Sequence, residues 1–138
     1  MFSIVAVGTD GSPTAGEAVE KATEIARRFD AKLVLLSAVE GPGGPPDEDI
    51  ELQWATNSSA RMRSILERLE RDVAVQGIEC ETRAEEGDPA EVLVRLAEES
   101  GADLLVIGNK GMQRRVLGSV PNTVTHQAAC SVLVVKTT

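Results

Sequence analysis

The chain has 138 residues, 42% hydrophobic and 26% charged, with fourteen basic against twenty-two acidic side chains and a net charge of −8. That length and balance predict one folded domain, 1–138, with enough surface to bury for a core, and they exclude disordered, collagen-like and membrane-spanning classes. The negative charge disfavours nucleic acid and anionic membrane surfaces as partners, because both repel a polyanion.

At the amino terminus no basic segment precedes the apolar stretch and no small-residue cleavage pattern follows it, which predicts a cytoplasmic protein. Ser3–Gly8 is a continuous apolar run, read as a strand covered on both faces. The glycine-bearing loop Gly8-Thr9-Asp10-Gly11-Ser12 follows. Ser12-Pro13 then supplies an N-cap and a proline-tolerant first position for a helix whose Ala15, Val19, Ala22, Ile25, Ala26 and Phe29 share one face. Lys32–Ala38 reads as a second buried strand. The next segment, Gly41-Pro42-Gly43-Gly44-Pro45-Pro46, is a loop and not a phosphate cradle, since proline removes amide donors.

Asp47 to Gln76 is the longest helical stretch, with Met62, Ile65, Leu66, Leu69 and Val73 as its inward stripe and Gly77 past its end. Thr56-Asn57-Ser58-Ser59 marks a place where it can break, and the lone Trp54 of that half reads as packing on the domain or on a partner chain. Glu79–Glu85 is short and charged, the pattern of an edge strand. Asp88-Pro89 repeats the helix-start signal ahead of Leu93, Leu96 and Ala97, and Gly101 stops that helix. The strand Asp103–Gly108, the loop Gly108-Asn109-Lys110-Gly111, a helix opening at Gly118-Ser119 and the strand Ser131–Lys136 complete the chain. Right-handed crossovers wind this β-α-β-α-β-α-β-α-β order into a doubly wound α/β sheet with helices on both faces.

The chemistry available is limited. Cys80, Cys130 and His126 are too few for a structural zinc site or a disulfide framework, and free thiols beside strands behave as small buried hydrophobes. No nucleophile, general base or metal cluster is evident, so the chain reads as a binder and not a catalyst. In a doubly wound sheet ligands bind beyond the carboxyl ends of the strands, which directs attention to the two glycine-bearing loops.

From Leu104 onward there is no Asp or Glu, while Lys110, Arg114, Arg115 and Lys136 give +4, leaving −12 on the first 103 residues. Helix-terminal amides in this acid-free segment suit a phosphate, with the Ser119 hydroxyl as a further donor. The other reading is that these glycines only shape a connection and the cations are a solvated face. A carboxylate is repelled by phosphates, so Asp10 is assigned to ribose hydroxyls or an adenine amino group across the crevice, the alternative being a loop or cap aspartate.

Gly8-Thr9-Asp10-Gly11-Ser12, Val106-Ile107-Gly108-Asn109-Lys110-Gly111, Leu117-Gly118-Ser119-Val120-Pro121 and the closing Cys130-Ser131-Val132-Leu133-Val134-Val135 together resemble the universal stress protein family along the whole chain. The resemblance implies a five-stranded parallel sheet in the order 3-2-1-4-5 and a homodimer. It also implies an ATP-type adenine nucleotide site marked by G-x2-G-x9-G-[ST], in a stress-response protein whose ligand state modulates partners, with weak ATP hydrolysis at most. By that resemblance Gly8, Thr9 and Asp10 line the adenosine side, and Ala38 and Ile107 lie by the adenine. Gly108, Lys110, Gly111, Gly118, Ser119 and Val120 follow the ribose and phosphates, and any magnesium is held mainly by phosphate oxygens.

Here six residues, Met112 to Leu117, stand where the motif has nine, which shortens the phosphate loop. The resulting alternative is a dimeric interaction module of the same fold whose nucleotide site is non-functional. Dimerisation also has an argument from the residues once the family's strand order is adopted: Ser131–Lys136 then lies at a sheet edge, yet it is apolar on both faces with no charge before Lys136, and such an edge invites pairing with a second copy.

Overall fold

The computed structural model describes residues 2–39, 48–109 and 119–137, of which 48–59 and 119 are described by backbone alone. The loop read at 41–46 and the side chain of Trp54 lie outside the described residues. The elements run β1 (Ile4–Gly8), α1 (Pro13–Phe29), β2 (Lys32–Val39), α2 (Glu48–Ala74), β3 (Cys80–Glu86), α3 (Pro89–Glu99), β4 (Leu104–Gly108), α4 (Ser119–Gln127) and β5 (Ser131–Val135). All four strand pairings are parallel and the sheet order is β3-β2-β1-β4-β5.

Local chemistry accounts for the helix boundaries. The Ser12 hydroxyl accepts the Ala15 N–H at 3.2 Å ahead of Pro13, and the Asp88 carboxylate accepts the Glu91 N–H at 3.2 Å ahead of Pro89. At the far end of α1, Asp30 takes the left-handed conformation (φ 56°) and its N–H reaches back to Arg27 at 3.4 Å, with Arg27 and Arg28 in the negative last turn. Backbone helix continues unbroken through Thr56-Asn57-Ser58-Ser59, so that polar segment does not interrupt α2.

Two apolar clusters flank the sheet, as expected for strands buried on both faces. Val5, Val7, Leu33, Leu35, Leu104 and Val106 pack with α1 and with Leu66 and Val73 of α2. On the other face Ala6, Val34, Leu36, Leu105 and Ile107 pack with α3 and Val124 of α4. The face of α1 is narrower than the spacing predicts: Ala18, Val19, Ala22, Thr23 and Ala26 are buried, Ala15 and Ile25 are half-buried, and Phe29 is 43% exposed. Small residues bring α1 close to the sheet, and Phe29, in the last turn, meets Phe2 edge-on at 5.4 Å.

The two sheet edges differ in character. On β3 the Glu81 carboxylate pairs with Lys32 of β2 and with Arg83 at 2.9 Å. Lys32 holds Glu81 below the usual carboxylate range, chiefly through their hydrogen bond, and Arg83 adds to this. On β5, Leu133 and Val134 are 38% and 39% exposed. Among the described residues no helix is long and apolar enough to cross a membrane.

Candidate functional site

β1 is the central strand, and the winding reverses between it and β4, so a crevice opens at their carboxyl ends. The chain leaves the sheet at Thr9, which is buried; its N–H donates to the Leu36 carbonyl at 2.9 Å and its hydroxyl accepts the Gly11 N–H at 3.0 Å. The Asp10 carboxylate oxygen Oδ1 accepts the Ser12 N–H at 2.9 Å, an Asx turn that aims the segment at the start of α1. Gly11 is favoured here by its φ of +80°, and a Cβ would stand 2.9 Å from Cδ1 of Ile65 on α2, so that side-chain end would have to shift.

This departure frees a backbone pair. In β2 the odd residues face β3, as the bonds from the Leu33 N–H to Glu79 and from the Gly87 N–H to the Val39 carbonyl show. The even residues face β1, as Leu36 does. Ala38 therefore turns its N–H and C=O toward β1 beyond the point where β1 has ended, and among the described residues neither group is paired. Ala38 is 9% exposed, and an unpaired donor and acceptor this close to burial favour a ligand that brings both partners.

The crevice walls are mostly apolar. Pro89 and Leu93 of α3, Ile107 of β4, Val120 of α4 and Thr14 and Ala15 of α1 line the crevice. Gly8 permits this geometry, because a Cβ there would lie 3.0 Å from Cδ1 of Leu93. Past β4, a Cβ on Gly108 would lie 3.3 Å from Cγ2 of Thr137, a residue beyond β5 that also lines it. Such a slot suits a flat aromatic group carrying hydrogen-bonding edges, with Asp10 as the one carboxylate among the described lining residues.

Of the residues singled out from sequence, Gly8, Thr9, Asp10, Ala38, Ile107, Gly108 and Val120 are brought together around this crevice. Lys110, Gly111 and Gly118 lie outside the described residues, as do Arg114, Arg115 and the side chain of Ser119, whose backbone opens α4. Sequence reasoning missed Thr14, Ala15, Pro89, Leu93 and Thr137. Pro89 and Leu93 carried only a helix-start and a core signal, and Thr137 becomes a neighbour of Gly108 only once β5 lies beside β4.

Among the described residues, neither the two thiols nor the histidine lines the crevice. Burial pushes the Cys80 thiol up to about 11, with the Glu70 charge adding to the effect, and burial also raises Cys130. Thiols held protonated are poor nucleophiles. His126 is exposed in the last turn of α4, away from the crevice lining.

Comparison with known proteins agrees with this architecture. The profile of the universal stress protein family matches residues 1–136. A universal stress protein of Mycobacterium tuberculosis is 38% identical over 148 aligned residues that span 99% of this chain and 98% of that one. A universal stress protein solved in complex with cAMP is 35% identical, with a TM-score of 0.76 and coverage of 99% of this chain and 98% of that one. A universal stress protein of Archaeoglobus fulgidus, solved with dAMP, is 24% identical with a TM-score of 0.70 over 99% of this chain and 98% of that one, a likeness of fold.

Proposed function

The chain belongs to the universal stress protein family, and we propose that it is a cytoplasmic, homodimeric regulator that binds an adenine nucleotide at the carboxyl ends of β1, β2 and β4. The observation that carries this reading is the backbone N–H and C=O of Ala38, unpaired among the described residues, beside an apolar slot. Adenine offers an adjacent donor and acceptor on one edge and a flat apolar face, and it satisfies both requirements together. The solved cAMP complex of a 35% identical relative supports the same ligand class.

In this reading Ile107 and Leu93 contact the base, Val120 lies along the ribose, and Asp10 takes the ribose with the carboxylate oxygen that its Asx turn leaves over. Gly108, Lys110, Gly111, Gly118 and Ser119 follow the phosphates. Thr9 fixes the loop, and Gly8 keeps the slot open. ATP and AMP-type ligands share the base and ribose, so the same slot accepts either. Magnesium arriving with a polyphosphate is held by phosphate oxygens, because Asp10 is the one described carboxylate on the crevice and Oδ1 is already engaged with Ser12. Lacking a thiolate or histidine at the crevice, the site binds nucleotide without rapid turnover.

The homodimer is built through the apolar edge of β5, where Leu133 and Val134 are exposed, while the charged β3 edge stays free. Native mass spectrometry of the purified protein tests the ligand reading: a dimer carrying adenine nucleotide is expected, and a protein that neither retains nor takes up any adenine nucleotide contradicts it. A second reading, an interaction module with a non-functional nucleotide site, is favoured by the six-residue spacing between Gly111 and Gly118. Gly118→Val and Ser119→Ala separate the two: loss of AMP affinity supports the nucleotide site, and partner binding that is indifferent to both supports the module.

A further inference from the structure

The segment after β5 keeps strand alternation: Val135 is 8% exposed, Lys136 is exposed and Thr137 is 6% exposed against the crevice. One side chain accounts for this. The Asn109 N–H donates to the Val135 carbonyl at 2.9 Å, continuing the β4–β5 ladder by one residue. The Asn109 side-chain oxygen Oδ1 then accepts both the Thr137 N–H at 2.8 Å and the Thr137 hydroxyl at 3.0 Å. A backbone N–H only donates, so the amide oxygen, and not its nitrogen, must face Thr137. The result presses Cγ2 of Thr137 toward Gly108, at the point where the chain turns off the sheet.

We propose that Asn109 is a positioning residue for the nucleotide site, latching the segment after β5 as a wall of the crevice. This rests on the reading of the crevice as an adenine-nucleotide site. Asn109 immediately follows Gly108, so the same residue that starts the glycine loop also holds the opposing wall; with the latch released, Thr137 is free to leave and the slot widens. Two hydrogen bonds converging on one oxygen make the arrangement dependent on an acceptor at position 109.

The test combines titration of adenosine and AMP with amide hydrogen exchange at Thr137, in the full chain and in Asn109→Ala, Asn109→Asp and Thr137→Val. Asn109→Ala is expected to weaken adenosine binding about tenfold and to speed Thr137 exchange at least about tenfold, as expected for loss of two hydrogen bonds. Asn109→Asp keeps an acceptor in place and restores Thr137 protection and adenosine affinity, while its negative charge leaves AMP weak. Thr137→Val keeps the backbone bond and loses less than Asn109→Ala. Unchanged Thr137 exchange in Asn109→Ala overturns the latch. Fast exchange with unchanged adenosine affinity overturns the positioning role. If the unsubstituted chain binds neither ligand, the nucleotide reading itself fails and the positioning role fails with it, an outcome distinct from the other two.

Discussion

At the amino ends of the central strands the backbone is closed. The Asp103 carboxylate accepts the N–H groups of Ser3 at 3.0 Å and Ile4 at 3.2 Å, the Asp103 N–H returns to the Ile4 carbonyl at 3.0 Å, and the Lys32 N–H reaches the Ser3 carbonyl at 3.0 Å. At the carboxyl ends the opposite holds: β1 stops early, Ala38 has no partner for its N–H and C=O among the described residues, and Gly8 and Gly108 stand where side chains would fill the gap. One sheet thus has an end whose backbone is paired and an end that, on the proposed reading, a ligand completes. Pairing donors at one end offsets the cost of leaving others unpaired at the other.

Filling the open end is expected to have the largest effect. Gly8→Val drives a branched side chain into Leu93, costs about 1–3 kcal/mol of unfolding free energy through overpacking, and abolishes AMP binding by calorimetric titration. Retained affinity there would mean that the slot is not the site. Asp103→Ala attacks the closed end: two N–H groups lose their acceptor, and chemical denaturation is expected to show a loss of about 1–2 kcal/mol with AMP affinity unchanged. A matching loss of affinity would break the contrast between the ends.

The lateral edges sharpen the contrast further. Leu133→Lys puts a charge on the β5 edge and is expected to give a monomer in sedimentation, with fold stability within about 0.5 kcal/mol. A dimer that survives Leu133→Lys places the interface elsewhere. The smallest effect is expected from Glu81→Gln. Because Glu81 titrates below its ordinary value in the fold, its stabilisation is present at neutral pH and is lost as pH falls through that lowered value. The difference in thermal midpoint between the two proteins should therefore shrink toward acid pH, and a constant difference would contradict the ion-pair account.

Much of this contrast was legible in the residues. Continuous Val/Leu/Ile runs announce strands buried on both faces at β1, β2 and β4, whereas the similar run of β5 is largely exposed because it lies at the sheet edge. Ser12-Pro13 and Asp88-Pro89 announce helix starts, because these signals act within a few residues. Phe29 was misread since periodicity fixes a helix face but not how far along the helix the sheet extends to cover it. The resemblance puts Ala38 by the adenine, whereas its backbone pair, free among the described residues, depends on where β1 ends. Pro89 and Thr137 reach the site through tertiary packing alone, and no spacing in the chain encodes that.

Calorimetric titration of the native chain with AMP, ATP and cAMP tests the central claim most directly. The account predicts saturable binding of at least one of them at one site per chain, removed by Gly8→Val and preserved in Asp103→Ala; the absence of binding to all three would contradict it.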